Sequence, residues 1–164
     1  MNIDTKRLRI IPLTPHQLAL WINDMPQLEN ELGCSYQAEP MDGIFKEIVS
    51  AQLAACEKDT ENYIWHSFWF IIRNSDRAVV GSACFKNIPD TGGEVEIGYG
   101  LGKAFEQKGY MSEAVEAMCN WALGQKGVRH IIAETDLDGS ASQKLLQKCG
   151  FTEYTRDKTI WWRL

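Results

Sequence analysis

The stretch that most constrains this chain spans residues 94–123. It begins Glu94-Val-Glu-Ile-Gly-Tyr-Gly-Leu101, passes through Gly102-Lys-Ala-Phe-Glu-Gln-Lys-Gly109, and continues Tyr110-Met-Ser-Glu-Ala114. Apolar residues alternating with polar ones or glycine over 94–101 have the two-residue period of a strand. Beyond Gly109, Ala114, Val115, Met118, Trp121 and Ala122 recur at three- and four-residue steps, one face of a helix that Gly124 or Gly127 would end. A loop feeding a helix presents unpaired N–H groups and the positive end of the dipole, so Lys108-Gly109 and its neighbours suit a phosphate. The glycines alone do not say whose phosphate. A dinucleotide motif starting at Gly98 or Gly100 would need a third glycine where Lys103 or Phe105 stands, and no P-loop sequence is present. A third reading is that Gly98, Gly100 and Gly102 only bend a strand.

The flanking segments have to accommodate that unit. Alternation over 7–13 predicts a first strand, and Thr14-Pro15 a helix cap with proline at the first helical position, the helix running to about Asp24. Residues 25–39 read as irregular, with a short helix around 28–32. Ile44, Phe45, Ile48, Val49 and Leu53 give a helix over 42–57. The apolar run 67–72 reads as a strand covered on both faces, 78–85 as its hairpin partner, and Pro89-Asp-Thr-Gly-Gly93 as the turn into the central strand. Further on come a strand over 128–134, a helix capped by Asp138 or Ser140 with Ala141, Leu145, Leu146 and Cys149 as its buried stripe, and two closing strands near 153–155 and 159–163. Cys149-Gly150-Phe151 is a left-handed helix stop. The order β-α-α-β-β-β-α-β-α-β-β is of the α/β (α+β) class, a mixed sheet with helices on both faces.

Composition narrows the setting. A chain of 164 residues reads as one domain, 1–164, able to bury roughly 70% of its unfolded surface. A net charge of −5 argues against sequence-independent nucleic-acid binding, and no stretch approaches the ~20 apolar residues of a membrane span. The N-terminus has no apolar run of a signal peptide. Five widely spaced cysteines without a C-x-x-C pair point to a reducing, cytoplasmic setting and away from zinc. His16, His66 and His130 form no signature with a cysteine and no metal-ligand spacing, so a metal site is not expected.

Glu96-Ile-Gly-Tyr-Gly-Leu101 with Phe105-Glu-Gln-Lys-Gly-Tyr-Met-Ser-Glu-Ala114 resembles the GCN-related N-acetyltransferase superfamily, and within it the ribosomal-protein N-terminal acetyltransferase branch. Asp136-Leu-Asp-Gly-Ser-Ala-Ser-Gln-Lys-Leu-Leu-Gln-Lys-Cys-Gly-Phe151 is similar to that family's second cofactor-contacting helix, and Thr5-Lys-Arg-Leu-Arg-Ile-Ile-Pro-Leu-Thr14 to its opening strand. The resemblance implies a mostly antiparallel sheet of six to seven strands, splayed between the fourth and fifth, and a domain that moves an acetyl group from acetyl-CoA to a primary amine by direct transfer. The amine would be a protein N-terminus or a small molecule. A homodimer is compatible with this fold.

The resemblance also implies site residues. Gln107, Lys108, Gly109, Tyr110 and Met111 would hold the coenzyme A pyrophosphate through backbone N–H groups, although Glu106 and Met111 depart from the family's Gln/Arg-x-x-Gly-x-Gly/Ala pattern. Tyr99, Gly100 and Leu101 would lie along the pantetheine arm, which adds to the splayed strand as another strand would. Lys103, Lys108, Lys144 and Lys148 could meet phosphates or simply form solvated faces. For the base the resemblance implies Glu96, with Glu94 as the alternative; both carboxylates share a strand face with Gly98 and Gly100. Ser142 could reach the cofactor's sulfur, or partly cap its helix. The family's tyrosine acid falls at Leu146 and its asparagine at Gly139, while Tyr99 and Tyr110 are weaker candidates. Those losses keep a second reading open, a non-catalytic acyl-CoA-binding module.

Overall fold

Two apolar strands form the spine of the molecule. Phe68–Arg73 (β4) and Ala78–Phe85 (β5) pair antiparallel and are buried on both faces, as their mostly apolar sequences require, with Ser82 and the terminal Arg73 as the polar exceptions. The computed structural model describes all 164 residues, Met1–Leu164. On one side of the spine lie Leu8–Pro12 (β2) and the two-residue Ile3–Asp4 (β1). On the other lie Glu94–Leu101 (β6), His130–Asp136 (β7), Thr159–Arg163 (β9) and Thr152–Arg156 (β8), giving the order β1-β2-β4-β5-β6-β7-β9-β8. Ser35–Tyr36 (β3) adds a short parallel pair on β5. All neighbours are antiparallel except β6 with β7 and β3 with β5. The sheet thus has nine strands where six to seven were expected. The extra two, β1 and β3, are two-residue pairings too short to leave a period in the sequence.

Helices cover both faces. Pro15–Asn23 (α1), Met25–Leu32 (α2) and Gly43–Lys58 (α3) close one side over Leu13, Leu18, Trp21, Phe68, Phe70 and Val79. Tyr110–Leu123 (α5) and Ser140–Lys148 (α6) close the other over Ile71, Val80, Ile97, Met118 and Leu146, and a single turn at Tyr63–His66 (α4) joins α3 to the spine. α1 begins with a full capping box: the Thr14 hydroxyl accepts from the Gln17 amide, and the Gln17 side chain accepts from the Thr14 amide. The short helix expected around 28–32 is present and begins earlier, at Met25, within the stretch 25–39 that otherwise read as irregular. Asp24 caps it by accepting from the Gln27 amide, which offsets the break that Pro26 signals. α6 is not capped by Asp138 or Ser140, since Gly139 occupies the cap position and supplies no side chain. Of its expected stripe only Leu146 is fully buried; its end follows the expected stop, with Gly150 at φ +93° and Phe151 buried behind it.

Candidate active site

One cavity of about 520 Å³ collects most of the residues singled out from the sequence. Tyr99, Gly100 and Leu101 line it from β6, Gln107, Gly109, Tyr110 and Met111 from the loop and first turn of α5, and Ser142, Lys144 and Lys148 from α6. Its floor is a gap in the sheet. β6 pairs with β7 only from Glu94 to Glu96, yet β6 continues to Leu101 and β7 to Asp136. On the closed edge the Gly102 amide donates to the Val80 carbonyl at 2.9 Å and the Lys86 amide to the Glu96 carbonyl at 3.0 Å. The even-numbered residues of β6 therefore turn their backbone polar groups toward β5. Alternation leaves those of Tyr99 and Leu101 directed into the gap, a strand edge open to an extended partner.

The loop before α5 forms the far end. Gln107 has φ +61° and Gly109 φ +79°, two left-handed residues one position apart. A positive φ is uncommon outside glycine, and such turns draw successive N–H groups toward one point. The amides of residues 107–112 find no acceptor in the protein, and no side chain caps the helix. This end carries the helix's partial positive charge. Met111, which departs from the small residue of the family pattern, turns its side chain into the core and is buried. Glu106 lines the cavity. Lys108 and Lys103 do not; the Lys108 carbonyl instead accepts from Arg7 Nη1 at 2.9 Å.

Arg7 belongs to the loop although it lies about a hundred residues away in sequence. Its Nε meets Glu113 Oε2 at 2.7 Å, its amide donates to Glu113 Oε1 at 2.9 Å, and its guanidinium lies 4.4 Å from the centroid of the Tyr110 ring. Burial alone would raise the Glu113 carboxyl, but the Thr5 hydroxyl, the Arg7 amide and the Arg7 guanidinium together hold it below the usual range. Arg73 also donates to the Tyr110 hydroxyl, at 3.3 Å. Nothing local in the sequence links these residues.

At the near end, the Tyr99 hydroxyl and Ser142 Oγ are 2.6 Å apart. Ser142 is thus engaged with Tyr99 and does not cap α6. Burial raises the Tyr99 pKa above the ordinary tyrosine value, with the Ser142 bond only partly opposing it, so the phenol keeps its proton at neutral pH. Leu146, at the family's tyrosine position, is fully buried and carries no acid. Glu96 lies on the opposite face of β6, outside the cavity lining, with its carboxylate ion-paired to Lys86 Nζ. Glu94 is paired with Arg163 Nη2 at 2.8 Å. Glu39, which the sequence did not single out, lines the cavity beside Gly100.

A family model described as an acetyltransferase (GNAT) domain matches residues 7–152. The chain belongs to the GNAT acetyltransferase family. It is 39% identical over 83 residues to the uncharacterized N-acetyltransferase YjdG of Bacillus subtilis (strain 168), covering 51% of this chain and 49% of that protein. It is 32% identical over 84 residues to the uncharacterized N-acetyltransferase p20 of Bacillus licheniformis, covering 51% and 47%. The matched region spans about half the length of these curated relatives. Among solved structures, the ribosomal-protein-S5-alanine acetyltransferase of Vibrio fischeri superposes with a TM-score of 0.70 at 16% identity, covering 100% of this chain and 96% of that one. A GNAT-family acetyltransferase of Bacillus anthracis gives 0.68 at 17%, covering 100% and 98%, and a ribosomal L7/L12 alpha-N-protein acetyltransferase in complex with coenzyme A gives 0.67 at 15%, covering 100% and 97%. At these identities the structures show the fold alone, that of GNAT acetyltransferases.

Proposed function

We propose that residues 1–164 form one acetyl-CoA-dependent N-acetyltransferase domain, which moves the acetyl group to a primary amine by direct transfer in a ternary complex. The observation that carries this reading is the continuity of the cavity, from the unpaired amides of residues 107–112, past the open edge of Tyr99 and Leu101, to the Tyr99–Ser142 pair. Acetyl-CoA is the same kind of object: an anionic end, an extended arm rich in amide groups, and a reactive thioester. Gln107, Gly109, Tyr110 and Met111 would take the pyrophosphate on backbone N–H groups, and Lys144 and Lys148 add charge one helical turn apart. The open edge of β6 would bind the arm and offer an amide N–H to the thioester carbonyl oxygen, where negative charge develops. Tyr99, carrying its proton and bonded to Ser142, would protonate the departing thiolate. The five free cysteines suit a reducing compartment such as the cytoplasm.

Calorimetry with acetyl-CoA tests the first half of this reading; a protein that takes up no acetyl-CoA at high micromolar concentration sinks it. Thiol release from acetyl-CoA over peptides with free N-termini, polyamines and aminoglycosides tests the second half. A non-catalytic acyl-CoA-binding module remains the second reading, favoured by the apolar Leu146 and by the Lys86–Glu96 pair. Binding without thiol release from any amine would select it.

A further inference from the structure

We propose that Glu39 is the carboxylate that receives the acceptor ammonium and takes its proton; the inference rests on the acetyl-transfer reading above. After α2 the chain reverses at Gly33, pairs with β5 through β3, and extends that pairing with the Gln37 amide on the Val79 carbonyl at 3.1 Å. This strap then crosses the end of β6. A Cβ on Gly102 would lie 3.1 Å from the Gln37 carbonyl oxygen and 3.2 Å from Ala38 Cα, and one on Gly100 would lie 3.6 Å from Glu39 Oε1. Two bare positions, one on β6 and one just past its end, thus let the strap settle and bring the Glu39 carboxylate over the strand beside the gap. The backbone there is anchored, because the Tyr36 hydroxyl donates to the Glu39 carbonyl at 2.5 Å and the Tyr36 ring packs on Trp21 and Phe70.

Charge separates Glu39 from its rivals. Glu94, Glu96 and Glu113 each hold a cation, Arg163, Lys86 and Arg7 respectively, whereas Glu39 makes no ion pair. The other carboxylate lining the cavity, Glu106, stands with the loop before α5. Lys86 also lies across the bare Gly98, its Cε 3.2 Å from where a Cβ would be, so the space in front of Glu96 is already filled by a cation. Two carboxylates lining the cavity therefore stand free of cations, Glu39 and Glu106, and of these Glu39 is the one beside Gly100 of β6. On β6, Tyr99 and Gly100 face opposite sides, so base and acid approach the strand from its two faces.

The protons then balance. The ammonium gives one proton to Glu39, which passes it to solvent. The neutral nitrogen attacks the thioester carbonyl carbon, and a C–N bond forms as the C–S bond breaks. The nitrogen's surplus proton neutralises the thiolate through the Tyr99 hydroxyl, leaving an amide, free coenzyme A and one released proton.

The test uses the full chain with acetyl-CoA and the best amine of the panel, comparing wild type, Glu39→Gln, Glu39→Asp and Glu96→Gln. The Glu39 side chain makes no hydrogen bond or ion pair, so Glu39→Gln should fold normally. Expected are a fall in kcat/KM for the amine on the order of 10²-fold in Glu39→Gln, partial recovery in Glu39→Asp, and acetyl-CoA affinity by calorimetry within about twofold of wild type. A loss under about threefold in Glu39→Gln, or a larger loss in Glu96→Gln, overturns the assignment. Wild type that binds acetyl-CoA but acetylates no amine also overturns it, in favour of the non-catalytic reading. Wild type that binds no acetyl-CoA removes the parent reading itself.

Discussion

At the scale of single residues, burial and partners decide what otherwise similar groups can do. Tyr99 and Tyr110 bracket the same loop, yet only Tyr99 meets a hydroxyl of α6, while the Tyr110 ring meets the guanidinium groups of both Arg7 and Arg73. Tyr99→Phe should leave acetyl-CoA affinity within about twofold and lower kcat by roughly 10- to 100-fold, as loss of a positioned acid does. An unchanged thiol-release rate would show that solvent protonates the leaving group instead. His66, one of three histidines without a metal-ligand spacing, is a buried residue whose Nε2 lies 3.1 Å from Asp59. Of the adjacent tryptophans, Trp162 is buried and Trp161 only partly buried on the other face, as the strand period requires. That split follows from the two-residue period alone. The Tyr99–Ser142 bond was not, since it joins residues 43 positions apart through the packing of α6 on β6.

At the scale of elements, the loop before α5 is positioned from outside itself. Arg7 ties its carbonyl at Lys108 and its first-turn carboxylate at Glu113 to the opening strand. Both side chains are partly exposed, so screening limits the pair to about 1 kcal/mol. Arg7→Ala should lower Tm by about 2–4 °C and weaken acetyl-CoA binding several-fold, read by calorimetry, because the loop loses its brace. A loss of Tm without loss of affinity would mean that the loop holds its shape alone. The glycines of the spine give a sharper case. A Cβ on Gly81 would lie 2.5 Å from the Gly100 carbonyl oxygen, a backbone atom that cannot swing aside. Gly81→Ala should therefore destabilise by about 1–3 kcal/mol in denaturant titration and disturb β6 at the cavity. Full stability in that variant would show that β5 and β6 can separate there. The strand period places Gly98 and Gly100 on one face with Glu94 and Glu96; that Lys86 lies across the first and Glu39 beside the second follows from neighbouring strands and straps.

At the scale of the whole molecule, the buried thiols and partly buried phenols set the alkaline limit. Burial pushes Cys84 up to about 12 and Cys56 up to about 11, and it also raises Cys119, Tyr36 and Tyr99. These groups keep their protons in the folded protein, whereas the unfolded chain releases those of its thiols near 9 and of its phenols near 10. Their contribution is therefore complete below about pH 9 and drains away as pH rises through the folded values. Thermal melts from pH 7 to 11 should show Tm falling above about pH 9, less steeply in Cys84→Ala; a flat profile would contradict the burial of these groups. Much of this molecule follows from local chemistry along the chain. Two-residue and 3.6-residue periods, the Thr14-Pro15 start, the Gly150 stop and the glycine-marked loop after β6 depend on neighbours within a few positions, and short-range sterics and hydrogen bonding settle them in any context. Only the tertiary structure decided which carboxylate stands free, which hydroxyls meet, and that Arg7 braces the loop before α5. Ion pairing and burial are properties of positions brought together in space. Glu39 and Glu96 are chemically identical in the sequence, and the fold gives one a lysine and leaves the other facing the cleft.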